Sequence, residues 1–276
     1  MRRGFVTFEG MGYERPFRFA AEHGFDHVEL QMTYVAGGTP YLGREYLAER
    51  SDEIKATLEE TGVDLLIHLP HTMDIGAASP IIRAAAIEET VENMQVAADL
   101  GAEKCVIHPV SSARARGWDR STVQSFIIES MVALLDHAND LDMDLCMENL
   151  RYGGFKIDDF DRYFDETDGL MTLDTGHARI TGMSEDRMAA FIESNLDRIG
   201  HVHASDNKKY VVGFDGTIGD DHAPTGVGDL DFGTALKPLL DGWDGTVSLE
   251  IHTQRMEYLA VAKQVFDEML PPDEYS

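Results

Sequence analysis

The feature that most constrains this chain is an alternation, repeated eight times, between a short apolar run and a longer amphipathic stretch. The short runs are mainly apolar throughout, as is typical of parallel strands that are covered on both faces. The predicted strands are GFVTF near Phe5, HVEL near Val28, Asp64–Leu69, Lys104–His108, Asp144–Asn149, Leu170–Asp174, Ile199–Asp206 and Thr246–Ile251. Parallel strands require crossover connections, which the longer stretches can supply as helices.

Helical patterns lie between and after these strands, and two of them are followed by a glycine in the position that ends a helix, Gly62 and Gly101. The predicted helices are Pro16–His23, Arg44–Thr61, Ser79–Leu100, Thr122–Leu141, Ile157–Glu166, Ser184–Asn195, Phe232–Leu240 and Arg255–Leu270. Eight strand-then-helix units predict an α/β fold, a single (β/α)8 TIM barrel over residues 1–276. The alternative is an open doubly wound sheet, but no glycine-rich phosphate turn follows the first strand.

Composition agrees with a large buried core in one domain, because 43% of the 276 residues are hydrophobic. No stretch approaches the roughly 20 apolar residues of a membrane span, and the first residues, MRRGFVTFEG, lack a signal-type apolar region. We therefore expect a cytoplasmic protein without a membrane partner. Cys105 and Cys146 each lie inside a predicted strand, so two buried, reduced thiols are expected rather than a disulfide.

The charge of the chain is strongly negative, with 50 acidic and 23 basic residues and a formal net charge of −27. Such a balance repels nucleic acid and acidic membranes at long range. It also resembles the acidic surfaces of proteins adapted to high salt, where the Debye length falls to about 3 Å near 1 M. We therefore expect a halophilic protein, whose surface charge says little about its substrate.

Chemistry-bearing side chains occur where the predicted strands end. Six successive strands, from the third to the eighth, finish with a histidine or a carboxylate, and three further candidates follow the sixth and seventh strands. The nine candidates are His68, His108, Glu148, Asp174, His177, His203, Asp220, His222 and Glu250. A barrel gathers the carboxyl ends of its strands around one mouth, so these residues are predicted to converge.

Imidazole and carboxylate ligands together suit zinc, manganese, iron or cobalt, so a divalent ion, zinc or manganese, is the expected cofactor, with no nucleotide cofactor. Any one of these residues has an ordinary alternative, since a lone strand-end histidine can be structural and a lone carboxylate can cap a helix. The prediction of a metal site therefore depends on the whole set rather than on any one member.

The chain resembles the xylose-isomerase-like barrel superfamily, which contains sugar isomerases and epimerases and the endonuclease IV family of apurinic-site nucleases. The resemblance covers nearly the whole chain and depends on the segments IHLPH, VIHP, MEN, LDTGH, HVHASDNK, DDHAPTGVGDLDF and LEIH. It implies that Glu148, Asp174, His203 and Glu250 are the four metal ligands of the epimerase branch. The remaining five candidates match the further ligands of the trinuclear zinc site in the nuclease branch.

Two departures from the nuclease branch stand out. His71 occupies the position of a tyrosine that probes DNA, and the loop after the second strand, QMTYVAGGTP, lacks the Asn/Gln/Arg cluster that enters the duplex. The stretch from His203 to Lys208 nevertheless has the nuclease signature His-x-x-Asp-x-Lys. The ligand inventory alone does not distinguish a nuclease from an isomerase.

The resemblance implies two mechanisms. In the first, a divalent-metal-dependent isomerase or epimerase acts on a small sugar or sugar phosphate through an enediolate, with Glu148 and Glu250 as the acid–base pair and His177 binding a hydroxyl. In the alternative, a zinc phosphodiesterase uses a trinuclear site to cleave DNA at apurinic sites, and nucleic acid is a partner only under this hypothesis. A third possibility is a metal- or sugar-binding barrel that has lost catalysis.

Basic residues are scarce and concentrate after strands, where they could bind a substrate phosphate. The loop after the fourth strand holds Arg114 and Arg116 beside Trp118, and Lys208 follows the seventh strand. The expected substrate-binding residues are Arg114, Arg116, Lys208 and His71. Salt bridges to the many surface carboxylates are an equally simple role for the basic residues, and packing against the rim is the simpler role for Trp118.

Overall fold

The computed structural model describes residues 1–8, 10–33, 42–207 and 220–270. Its strands form a closed parallel barrel in chain order, in which the last strand pairs with the first. The strands are β1 Arg2–Val6, β2 His27–Gln31, β3 Asp64–His68, β4 Lys104–Ile107, β5 Asp144–Glu148, β6 Leu170–Asp174, β7 Ile199–Ala204 and β8 Thr246–Leu249. The predicted TIM barrel is confirmed.

Helices connect the strands within the described ranges. They are α1 Glu14–His23, α2 Arg44–Glu49, α3 Ser51–Thr61, α4 Pro80–Leu100, α5 Ser112–Ala115, α6 Arg120–Asp140, α7 Phe160–Glu166, α8 Thr175–Ile180, α9 Glu185–Ser194, α10 Phe232–Ala235 and α11 Glu257–Met269. Short 3-10 helices span Ile157–Asp159, Leu196–Arg198 and Lys237–Leu240. No helix of the described chain is long and apolar enough to cross a membrane.

The ends of two long helices follow the predicted glycine signals. Gly62 and Gly101 adopt left-handed backbone angles, with φ of 66° and 90°, and their N–H groups donate to carbonyl oxygens of the last helical turn. A glycine takes this conformation without the steric cost of a Cβ atom. The sequence signal therefore places both helix ends correctly.

Besides Ile157–Glu166, which the structure divides into a 3-10 helix and α7, two predicted helices differ from the structure. The stretch predicted as Arg44–Thr61 is divided into α2 and α3 at Arg50, whose ψ of 16° departs from helical values. The stretch predicted as Phe232–Leu240 is a short α-helix followed by a 3-10 helix. Pro238 explains the second difference, because proline lacks an N–H group and disfavours α geometry in the preceding residue.

Side chains of the strands alternate between two environments. One set, which includes Val28, Ile67 and Val202, belongs to the hydrophobic core that the strands share with the helices. The alternate positions carry buried polar side chains, among them Glu29 and His201. The barrel interior is therefore more polar than the apolar runs of the sequence indicate.

Candidate metal centre

Four side chains at the carboxyl ends of neighbouring strands form the centre of the site. Glu148 ends β5, Asp174 ends β6, His203 lies near the end of β7, and Glu250 directly follows β8. Their ligand atoms all lie within 4.8 Å of one another, and all four residues are buried. These residues are called the four-residue group below.

The spacing inside the four-residue group suits direct coordination of a small cation. His203 Nδ1 lies 3.3 Å from Glu148 Oε2 and 3.4 Å from Glu250 Oε2. An ion bound tetrahedrally at zinc–ligand distances separates its ligands by about 3.4 Å. The carboxylates therefore stand where neighbouring ligands of one ion would stand.

A second set, the His68 group, shares Glu148 with the first. His108 Nε2 is 3.0 Å and His68 Nε2 is 3.6 Å from Glu148 Oε2. The other ring nitrogen of His68 donates to the carbonyl oxygen of Leu69 at 2.9 Å, which orients the ring and leaves Nε2 as the ligand atom. His68, His108 and Glu148 could together hold a second ion.

A third set, the His177 group, consists of His177, Asp220 and His222. Asp220 Oδ2 lies 3.1 Å from His177 Nε2 and 3.3 Å from His222 Nε2. The Nδ1 atom of His177 donates to the carbonyl oxygen of Asn149 at 3.0 Å, so Nε2 again faces the shared point. All nine residues predicted from strand ends thus fall into three groups that meet in one region.

Hydrogen bonding gives an independent test of whether the groups fit a cation. Buried polar atoms normally have hydrogen-bond partners, because an unpaired one costs free energy. Among the described residues, several ligand atoms of these groups have none: His68 Nε2, Glu148 Oε1, Asp174 Oδ2, His203 Nδ1, Asp220 Oδ1 and Glu250 Oε2. Divalent cations would satisfy such atoms, so the residues fit such a cofactor.

Electrostatic coupling inside the site is strong. Burial disfavours the charged form of Glu148, but the imidazoles of His108 and His203 outweigh burial and hold its pKa well below its usual range. Burial raises the pKa of Asp174 to about 8. Burial also opposes a charge on His222, yet the adjacent Glu250 raises its pKa to about 11. Without a cation, protonated imidazoles therefore balance the buried carboxylates.

Two buried residues next to the site were missed by the sequence analysis. Glu29 on β2 and His201 on β7 form a further close group with His203. Two sequence features could have identified them: the acidic residue Glu29 inside the apolar run HVEL, and the repeated histidines of IGHVHA, which include His201. Neither residue ends its strand, so a search of strand ends does not find them.

A cavity of about 540 Å³ is lined in part by residues of these candidate ligand groups. Its walls combine histidines and carboxylates of these groups with aromatic and amide side chains and one guanidinium. The lining residues are Phe8, Gln31, His71, His108, Leu150, Arg151, Tyr152, His177, Asp220, His222, Glu250, His252, Thr253 and Gln254. This volume is in the range of sites for small molecules.

The residues predicted to bind substrate have different positions. His71 lines the cavity, whereas Arg114 and Arg116 are not among its described lining residues. Arg114 donates to the carbonyl oxygen of Trp118 at 3.1 Å, and Lys208 lies outside the described residues. The guanidinium that does line the cavity is that of Arg151, whose Nε is 3.1 Å from Asp220 Oδ2.

Comparison with known proteins agrees with this architecture. The family model described as a xylose isomerase-like TIM barrel matches residues 17–270. An uncharacterised protein of Methanocaldococcus jannaschii is 28% identical over 211 residues, which cover 73% of this chain and 72% of that protein. The 3-dehydro-D-guloside 4-epimerase of Escherichia coli is 27% identical over 229 residues, which cover 75% of this chain and 78% of the epimerase.

Solved structures with the same fold include both enzyme branches. A D-tagatose 3-epimerase-like protein superposes with a TM-score of 0.77 at 21% identity, covering 98% of this chain and 97% of the other. Endonuclease IV from Thermus thermophilus superposes with a TM-score of 0.68 at 19% identity, covering 98% of both chains. At these identities the likeness establishes the fold alone.

Proposed function

This protein belongs to the xylose isomerase-like TIM barrel family, and on that premise we propose that it is a divalent-metal-dependent isomerase or epimerase of a small sugar or sugar phosphate. The observation that carries the proposal is the four-residue group, of which Glu250 lines a cavity of about 540 Å³. Its ligands are Glu148, Asp174, His203 and Glu250. The 27% identity with a sugar epimerase agrees with it.

In the proposed reaction, Glu148 and Glu250 are the acid–base pair. They reach the site from β5 and from the residue after β8, and both lie within 3.4 Å of His203 Nδ1. Since these elements stand on different sides of the barrel mouth, one carboxylate can remove a proton from a substrate carbon while the other returns it on the opposite face. A bound divalent ion supplies Lewis acidity to a carbonyl oxygen.

His177 and the cavity wall orient the substrate. The contact of His177 Nδ1 with the carbonyl oxygen of Asn149 orients the ring, and its Nε2 could bond a substrate hydroxyl by exchanging its present contact with Asp220. Phe8 and Tyr152 offer apolar surfaces to the substrate. The guanidinium of Arg151 is placed to bind a phosphate or a carbonyl oxygen of the substrate.

The experiment is a solvent-exchange assay in deuterium oxide with a panel of ketoses, aldoses and their phosphates. A proton that is removed and returned is replaced by deuterium, which proton NMR detects. Glu148→Gln and Glu250→Gln should abolish exchange while the circular dichroism spectrum stays unchanged. Glu60→Gln is the control, because Glu60 pairs with Arg18 on the surface. Turnover by the Glu148→Gln/Glu250→Gln double variant would refute the mechanism.

One observation favours a second candidate, a zinc phosphodiesterase. The His68 and His177 groups supply five ligands beyond those of the four-residue group, and Glu148 belongs to two groups, as a bridging ligand would. Clustered zinc ions supply an activated water and neutralise developing phosphate charge. Against this candidate stand the net charge of −27 and a cavity of small-molecule size.

Elemental analysis and a cleavage assay separate the two candidates. Close to three zinc ions per chain, with cleavage of abasic duplex DNA, would support the phosphodiesterase. A single manganese, cobalt or magnesium ion without cleavage would support the isomerase. The cleavage assay is run near 1 M salt, where the Debye length of about 3 Å screens repulsion between the acidic surface and DNA.

A further inference from the structure

A fully buried polar network lies inside the barrel, directly behind His203. Glu29 Oε1 accepts a hydrogen bond from His203 Nε2 at 3.0 Å, and Glu29 Oε2 accepts one from His201 Nε2 at 3.0 Å. His201 Nδ1 in turn lies 2.6 Å from the hydroxyl of Thr246. All four residues have zero solvent exposure.

The network crosses the barrel rather than following a strand pair. Glu29 is on β2 and both histidines are on β7, while β8 and β1 stand between these strands in the closed sheet. The Glu29 carboxylate must therefore project across the interior to reach His203. A carboxylate with no exposed surface is costly unless its oxygens accept hydrogen bonds, and both oxygens of Glu29 do.

The hydrogen bonds set the protonation pattern of the two rings. Because Glu29 accepts at both oxygens, His201 and His203 must each carry a proton on Nε2. In the neutral ring that a metal ion requires, this leaves Nδ1 of His203 as the atom with a free lone pair, and that atom faces Glu148 and Glu250. His201 Nδ1 is satisfied by the Thr246 hydroxyl, which donates to it.

The network differs from the metal-binding groups in one decisive respect. His203 Nδ1 has no hydrogen-bond partner among the described residues, and the same holds for Glu250 Oε2. The Nε2 atoms of His201 and His203 and both oxygens of Glu29 are paired with one another. A cation would satisfy His203 Nδ1 and Glu250 Oε2. The atoms shared by Glu29, His201 and His203 need no cation, although these three residues also lie close together.

We propose that Glu29 is a positioning residue for the metal centre, which fixes the Nε2–H tautomer and the orientation of His203 and so presents Nδ1 to the ion. The inference rests on the metal site of the proposed function and is independent of the sugar substrate. A ligand histidine commonly donates its second N–H to a carboxylate or carbonyl, which also makes the ligand nitrogen more basic. Removal of such a partner typically weakens metal affinity about 10- to 100-fold.

The test is Glu29→Gln, which preserves the size of the side chain but removes its charge and one of its two acceptor atoms. The affinity of chelator-stripped protein for zinc is measured by competition with a chromophoric chelator, without any substrate. We expect a loss of about 10- to 100-fold relative to the unchanged protein.

Ser248→Ala is the matched control. It removes the hydrogen bond of 3.0 Å between Ser248 Oγ and His27 Nε2 in the same barrel interior; Ser248 is the strand neighbour of His203, but its hydroxyl bonds His27. A purely structural role of Glu29 predicts that both variants lower the melting temperature of the metal-free protein and that neither changes zinc affinity. Zinc affinity of Glu29→Gln within twofold of the unchanged protein would therefore overturn the proposal.

A second measurement does not depend on the folding of any variant. Long-range proton–nitrogen NMR spectra of the zinc-loaded protein report which nitrogen of each histidine is protonated. The proposal requires His203 to be protonated at Nε2 and bound through Nδ1; binding through Nε2 overturns it. If the unchanged protein binds no divalent ion, the proposed function and this inference both fail. If it binds zinc without sugar turnover, only the isomerase assignment is lost.

Discussion

Metal loading should raise the thermal stability of the protein, and the size of the increase should depend on how many groups are filled. With free zinc about 100-fold above the dissociation constant, one site stabilises the folded state by about 2.7 kcal/mol. A chain of 276 residues has an unfolding entropy of about 0.6 kcal/mol/K. One filled site should therefore raise the melting temperature by about 5 °C, and three filled sites by about 14 °C.

The assay is differential scanning calorimetry of chelator-stripped protein with and without added zinc, on the unchanged protein and two variants. Glu148→Gln removes a ligand from both the four-residue group and the His68 group, because both contain Glu148. With three ions bound, its increase in melting temperature should fall to about 5 °C, from the His177 group alone; with one ion bound in the four-residue group, the increase should disappear. His108→Asn affects only the His68 group; it should leave an increase of about 9 °C if three ions bind and of about 5 °C if one ion binds.

One result would refute this reasoning, and a second would distinguish one bound ion from three. A melting temperature that does not respond to zinc, manganese or cobalt would show that the buried ligand atoms do not form a metal centre. If zinc raises the melting temperature by about 5 °C in both the unchanged protein and His108→Asn, only one ion binds, in the four-residue group. Glu60→Gln, on the surface, should show the full increase and serves as the control.

Three further outcomes follow from the structure. Zinc binding near pH 7 should release protons, because Glu250 outweighs burial and raises the pKa of His222 to about 11, while a ligand imidazole must be neutral. Zinc affinity should therefore weaken as pH falls. Calorimetry in buffers of different ionisation enthalpy measures the protons released, and finding no release would contradict the prediction. Gly4→Ala should destabilise the fold by about 1–3 kcal/mol, since a Cβ atom would lie 2.2 Å from the His27 ring; an unchanged urea midpoint would argue against it. Burial raises the pKa of the Cys146 thiol to about 12, so a thiol reagent should label it only after unfolding, and labelling of the native protein would contradict its burial.

The sequence by itself determined the barrel and which candidate side chains converge at its mouth. Eight alternations of strand and helix pattern leave few compact arrangements, and parallel strands in a closed sheet bring their carboxyl ends to one mouth. His68, Glu148 and Glu250 could therefore be placed together although they are distant in the chain. Local signals also located the helix ends at Gly62 and Gly101, because a left-handed residue is a property of a few neighbouring positions.

Only the tertiary structure decided what lies inside the barrel and which side chains reach the cavity. The contact between Glu29 and His203 joins β2 to β7 across the interior, and it depends on barrel closure, which no local periodicity encodes. Arg151 lines the cavity while Arg114 bonds to its own loop, although both follow strands in the sequence. The physical reason is the same in both cases: chain pattern sets the end of the barrel at which a residue lies, whereas three-dimensional packing sets the neighbours it meets there.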